Sequence, residues 1–157
     1  RDTRNTLEVP DMGDPFIRRL WGTYQAYLPE GDLAYPLETR RDERGTLAEL
    51  LKSRNFGQIF ISRTRPGIVR GNHFPDSKVE KFFVLEGEAV VCLRSVLGSE
   101  IVEYRVSGTD YRVVDIPPGF AHSIQNVGNN ELGVLFWASA IFDPQDADTF
   151  SSEVGIG

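Results

Sequence analysis

The chain has 157 residues, 40% hydrophobic and 25% charged, which suits one compact domain burying ~70% of its unfolded surface and excludes disorder or coiled coil for the whole. A net charge of −6, with 17 Lys and Arg residues scattered rather than striped, argues against nucleic acid as a partner but leaves room for a local pocket that takes a small anion. The apolar runs fall far short of the ~20 residues of a membrane-spanning helix, so no membrane partner is expected.

The first residue is Arg, which suggests a processed chain or part of a longer one, and the opening RDTRNTLEVP has no signal-peptide apolar stretch. Cys92 is the only cysteine, so an intramolecular disulfide and a cysteine-based zinc site are excluded, and a cytoplasmic setting is expected. From Asp14 the chain reads as a helix, with Asp14 as N-cap and Pro15 at the first helical position. Phe16, Ile17, Leu20, Trp21, Tyr24, Tyr27 and Leu28 recur at spacings of three and four and form one apolar face. That face is expected either to pack on the domain or to form a connector or dimer contact. Pro29, Glu30 and Gly31 end the helix, and the charged TRRDERG reads as a turn into the next element.

Residues 1–45 are thus read as an N-terminal helix and connecting segment, and residues 46–157 as a β domain. In the latter, short runs rich in Val, Ile and Phe are punctuated every 8 to 12 residues by Gly, Pro, Asn or Asp. Nine candidate strands follow: 46–51, 57–63, 71–74, 79–85, 88–94, 101–106, 111–116, 122–126 and 132–140. Nine short strands suit an antiparallel double sheet better than an open one.

The chain has two histidines, and both sit in patterned surroundings. Gly67, His73, Glu80 and Gly87 fall in one stretch, and Pro117, Gly119, His122 and Asn126 in another. These two stretches, in this order and on predicted strands, resemble the two halves of the cupin signature. The resemblance implies an all-β fold, a double-stranded β-helix or jelly-roll barrel, here with a short N-terminal helix. Strand alternation puts Glu80, Phe82 and Val84 on one face and His122, Ile124 and Asn126 on another. Gly87 permits a tight turn, and Pro117, Pro118 and Gly119 make the bend that aims His122 inward.

Two imidazoles and a carboxylate converging in a barrel suit a divalent metal with open positions, zinc first, with iron, manganese or nickel as alternatives. Pro75 stands where the motif usually has its second histidine, and Asp76 is a substitute ligand only if it reaches back. Taken singly, His73 also reads as a satisfied polar residue at the barrel mouth and Glu80 as an edge-strand charge. Without metal, His73 or Glu80 is the candidate general base.

The runs RGNHFPDSKVEKFFVLEGEAVVCLR, VSGTDYRVVDIPPGFAHSIQNVGNNEL and FWASAIFDPQDADTF, with the upstream LPEGDLAYPLETRRDERGTLAELLKS, resemble the C-terminal cupin domain of CapF-like enzymes of capsular polysaccharide biosynthesis. Those enzymes pair this cupin with a short-chain-reductase domain. The resemblance implies a cupin epimerase or isomerase that abstracts a proton next to the ketone of a UDP-linked 4-keto-6-deoxy sugar, with His73, Glu80 and His122 as metal ligands. This chain has no glycine-rich dinucleotide loop, so no nicotinamide cofactor is expected on it. It also departs from the family's usual pattern at GNHFPD and at Trp137, Ala138, Ser139 and Ala140.

Arg63, Arg70, Lys78 and Arg94 are the candidates for the sugar diphosphate, with solvated strand-face charge as the plainer alternative. The competing functional readings are an iron-dependent cupin dioxygenase and a non-catalytic sugar-binding or scaffolding cupin. A homodimer is expected, with the face carrying Phe16, Leu20 and Trp21 as the first place to look.

Overall fold

In a computed structural model of the chain, residues 3–75, 77–145, 149–151 and 154 are described. Two helices come first, α1 (Thr3–Thr6) and α2 (Pro15–Ala26), followed by a 3₁₀ turn at Glu30–Asp32. Among the described residues eleven strands follow: β1 (Thr39–Asp42), β2 (Gly45–Ser53), β3 (Gly57–Thr64), β4 (Val69–Pro75), β5 (Glu80–Glu86), β6 (Glu88–Ser95), β7 (Ile101–Ser107), β8 (Val113–Ile116), β9 (Phe120–Asn126), β10 (Leu132–Ala138) and β11 (Thr149–Ser151). Among the described residues, no helix is long and apolar enough to cross a membrane.

The strands form two antiparallel sheets, ordered β1-β2-β3-β10-β5-β8 and β11-β4-β9-β6-β7. This is the jelly-roll barrel that the alternating pattern and the two motifs imply. All nine segments read as strands are strands, with ends displaced by one or two residues as fraying and turn geometry dictate. The core lies between the sheets and is built from inward-facing Phe82, Val84, Val91, Leu93, Val114, Ile116 and their neighbours. Gly87, between β5 and β6, has φ +91, and a Cβ there would come within 2.9 Å of the Glu131 carbonyl, so the tight turn expected at this position requires glycine.

Two expectations are corrected. The segment TRRDERG is a hairpin: Thr39 to Asp42 form β1, paired with Gly45 to Ala48 of β2. All four β1 residues are exposed. Their strand character therefore comes from backbone pairing to an edge, which leaves no hydrophobic alternation to read.

Helix α2 forms where expected, with the Asp14 carboxylate accepting from the N–H groups of Phe16 and Ile17 at 2.8 and 3.3 Å. It does not pack into the core, because none of its residues is buried and Phe16 and Leu20 are 70% and 56% exposed. The 3,4 spacing specifies an apolar face without specifying what covers it.

Candidate metal centre

Sheet register brings the three ligand candidates together. β4 and β9 pair so that His73 lies directly opposite His122, after a register shift between Gly71 and His73. The extra residue, Asn72, has φ +59, and this bulge keeps Arg70 and His73 on the same inward face although they are three positions apart. Gly71 lets the two backbones approach here, since a Cβ would fall 2.7 Å from the His122 carbonyl oxygen. Glu80 opens β5 in the facing sheet, between Ala138 of β10 and Ile116 of β8.

One ligand atom from each of His73, Glu80 and His122 can be chosen so that all lie within 4.8 Å of one another. His122 Nε2 is 3.4 Å from Glu80 Oε2, and the two imidazole rings meet edge to face with centroids 4.6 Å apart. The Phe82 ring packs edge-on to His122 at 5.3 Å and closes the apolar side. Glu80 Oε2 is buried without a hydrogen-bond partner among the described residues, and it faces His122 Nε2. A fold rarely leaves such a group unsatisfied, so this orphaned oxygen fits a group that completes it.

The electrostatics agree with a donor set. Burial pushes the Glu80 carboxyl up to about 7, against a smaller opposing pull from Lys78. Burial, and then the neighbouring His73, push His122 down to about 3, and burial also lowers His73. Neutral imidazoles with free lone pairs beside a carboxylate near its midpoint are what a divalent cation binds. Two nitrogens and one oxygen suit zinc, iron, manganese or nickel, and they leave coordination positions for water or substrate.

Pro75, at the position of the absent second histidine, is buried, and its carbonyl accepts from the Gly119 N–H at 2.9 Å. It ties the first motif to the bend that delivers His122. Asp76 lies outside the described residues. Ser139 is engaged with the backbone, its hydroxyl accepting from the Val79 N–H at 3.0 Å, while Ala140 lines a cavity beside the cluster.

The four cations read from sequence separate into two pairs. Arg70 lines a cavity of about 170 Å³ shared with His73, Glu80 and His122, and its Nε donates to Thr64 Oγ1 at 2.8 Å. Lys78 is buried and lines a second cavity that also reaches His73 and Glu80. Arg63 is exposed, between inward Ser62 and Thr64, and Arg94 follows inward Leu93 and donates to the Gly98 carbonyl at 3.2 Å. Neither lines a cavity that contains the cluster.

Sequence reasoning missed Arg44, which lines the Arg70 cavity and pairs with Asp42 at 2.6 Å. It also missed Arg40, Glu49 and Lys52, which line the Lys78 cavity. For Arg40 the missing signal was that β1 is a strand, because only its register places Arg40 beside Leu47.

Comparison with known proteins follows the same line. The family model for the polysaccharide biosynthesis C-terminal domain matches residues 40–150. A UDP-2-acetamido-2,6-beta-L-arabino-hexul-4-ose reductase of Pseudomonas aeruginosa is 36% identical over 157 residues, covering 100% of this chain and 42% of that protein. The crystal structure of the capsular polysaccharide assembling protein CapF from Staphylococcus aureus superposes with a TM-score of 0.92 at 39% identity, covering 97% of this chain and 41% of the other. The dTDP-6-deoxy-D-glucose-3,5-epimerase RmlC of Legionella pneumophila, solved with dTDP-4-keto-L-rhamnose, superposes with a TM-score of 0.54 at 25% identity, covering 73% and 69%. The chain thus spans well under half the length of the first two relatives. With its two antiparallel sheets and its His-Glu-His cluster, the chain belongs to the polysaccharide biosynthesis C-terminal domain family and has the CapF cupin fold.

Proposed function

We propose that this chain is a cupin epimerase that inverts a carbon next to the ketone of a UDP-linked 4-keto-6-deoxy sugar, in the synthesis of surface or capsular polysaccharide precursors. The observation that carries the reading is the cluster of His73, Glu80 and His122 opening into cavities lined by cations, in a chain 36% identical over its full length to a reductase of a UDP-linked hexul-4-ose. A ketone acidifies the adjacent C–H only while it persists, so such an inversion belongs before the reductase's step, and a separate or fused reductase is the expected partner.

His73, Glu80 and His122 are the residues that would hold a divalent metal, with zinc the first choice. Bound there, the metal supplies Lewis-acid polarisation of the ketone oxygen. The chain's own groups do the rest. Arg70 and Lys78 supply positive charge to the anionic substrate on either side of the cluster, and Phe82 and Phe136 keep water from the reacting carbon. In the metal-free site, the Glu80 carboxylate, pushed up to about 7 and lining both cavities, is the group we assign to take the proton from carbon. The C–H electron pair passes into the enolate, and a proton returned to the opposite face completes the inversion, with His73 as the second exchanging group. The reading includes a homodimer in which the exposed apolar face of α2 meets a second copy, which sedimentation at micromolar concentration tests.

The deciding experiment incubates the protein with a UDP-4-keto-6-deoxy-N-acetylhexosamine in deuterated water, with metal analysis of the same sample. The expected result is deuterium at a carbon beside the ketone without oxygen consumption. A second reading, a sugar-binding cupin without catalysis, is favoured by Pro75, which offers no ligating side chain, and by Ala140, which brings no polar group to the cavity beside the cluster. Binding without exchange would establish that reading, and oxygen uptake with bound iron would establish a dioxygenase.

A further inference from the structure

Two adjoining cavities, of about 540 and 240 Å³, share a wall formed by Arg40, Leu47, Glu49, Lys52 and Phe60. The larger one reaches His73, Lys78 and Glu80, and the smaller ends at Asn5, Thr6 and Leu7. Together they make a path that leads from the metal cluster out along the inner face of the first sheet.

The register fixes its direction and length. Lys52 pairs with Gln58, Gln58 with Ala138 and Ala138 with Glu80, so Lys52 and Glu80 lie in one cross-strand row, three strands apart. Three interstrand spacings amount to ~14 Å. Lys52 points into this row because of a β-bulge. The register slips between Glu49 and Leu51, so that Glu49, opposite Phe60, and Lys52, opposite Gln58, project from the same face although they are three apart. Arg40 reaches the same wall from β1, opposite Leu47.

The free edge of β2 at this point is closed by the N-terminal segment. The Lys52 N–H donates to the Leu7 carbonyl at 2.9 Å, the Val9 N–H donates to the Lys52 carbonyl at 2.8 Å, and Arg54 pairs with Glu8 at 3.0 Å. The path therefore has a built outer end.

Its chemistry is specific. Arg40 has no side-chain partner among the described residues. Lys52 Nζ forms an ion pair with Glu49 Oε1 at 3.2 Å, and both side chains line the two cavities. Two cations with a carboxylate acceptor beside them match a diphosphate followed by a group that bears hydroxyl donors.

We infer that the Arg40–Glu49–Lys52 wall is the seat of the nucleoside diphosphate, with Arg40 and Lys52 on the phosphates and Glu49 accepting from the ribose hydroxyls. The assignment rests on the nucleotide-sugar reading above and relocates the diphosphate away from Arg63 and Arg94. The row of strands from Glu80 to Lys52 is then spanned by the sugar ring and the diphosphate, in the cavity that Lys78 also lines.

Titration calorimetry with UDP and with pyrophosphate tests it. Replacing both cations (Arg40→Ala with Lys52→Ala) should weaken UDP binding by about tenfold or more, whereas Arg63→Ala and Arg94→Ala should leave it within about twofold. Glu49→Gln should weaken UDP relative to pyrophosphate, because the same change releases Lys52 from its ion pair and favours both anions. UDP binding that ignores the double replacement, or Glu49→Gln acting equally on both ligands, overturns the assignment.

Hydrogen exchange on the unsubstituted chain needs no variant to fold. UDP should slow exchange in residues 38–53, and no slowing there overturns the assignment as well. The two readings fail separately. UDP seated on this wall without deuterium entering the keto sugar keeps the seat and removes the epimerase, and exchange with UDP indifferent to Arg40 and Lys52 does the reverse.

Discussion

The barrel interior has two flanks with opposite characters, and the His-Glu-His cluster stands on their boundary. On the flank made by β6, β7 and β8, Val91, Leu93, Val106, Val114 and Ile116 are buried in a continuous apolar core. On the flank made by β2, β3 and β4, the inward positions hold Glu49, Lys52, Ser62, Thr64 and Arg70 around open space. One sheet alternation serves both, so the pleat fixes which residues point inward and residue type alone decides whether the inside is filled or left for a ligand. Stability should therefore reside on the first flank and binding on the second.

That division can be broken by substitution. The largest effect is expected at Ile116, fully buried, where Ile116→Ala should cost about 2–5 kcal/mol in denaturant unfolding. An unchanged midpoint would show that the apolar flank does not carry the fold.

On the boundary, His122→Ala should weaken zinc or cobalt binding by more than about 100-fold, since loss of a mere outer partner of a ligand costs up to that much. Retention of metal at wild-type affinity would remove His122 from the ligand set. Affinity for metal should also fall about tenfold per unit as pH drops below about 7, because the cation must displace one proton from Glu80 while His122 stays neutral down to about 3.

Glu80 offers a finer measure. Its folded value of about 7 lies above the ordinary 4.5, so the metal-free fold favours the protonated form. Its contribution to stability is present below 4.5 and is lost as pH rises through about 7. Glu80→Gln should accordingly stabilise the metal-free chain by up to about 3 kcal/mol at pH 8 and leave it unchanged at pH 4. A destabilisation at pH 8 would mean that the carboxylate is compensated by a contact the geometry does not reveal.

The smallest effect is expected outside the barrel. Asp14→Ala removes the α2 cap, at a cost of about 1 kcal/mol, and should speed amide exchange within residues 16–26 without moving the global midpoint. A shift of that midpoint would place α2 inside the cooperative unit.

Much of this was legible in the sequence, for reasons that differ by element. The strands carrying Glu80 and His122 alternate cleanly and are bounded by Gly and Pro, so both strand type and facing could be read. The approach of His73 to His122 follows from two motifs in fixed order. Lys52 and Arg40 were not legible: Lys52 faces the cavity only because of the bulge at Leu50, and Arg40 only because an entirely polar segment pairs to an edge. A one-residue slip in pairing reverses every facing beyond it, and nothing in the residue types of β2 announces the slip. The exposed face of α2 is the converse case, where a clear pattern predicted a helix and was silent on what the helix meets.

β11 runs beside β4, with Ser151 opposite His73 and Thr149 opposite Pro75. Three residues of tail thus guard the rim on which one histidine is mounted. If a protease trims the chain ahead of Thr149, that rim becomes a bare row of donors and acceptors, a template for recruiting strands from other molecules.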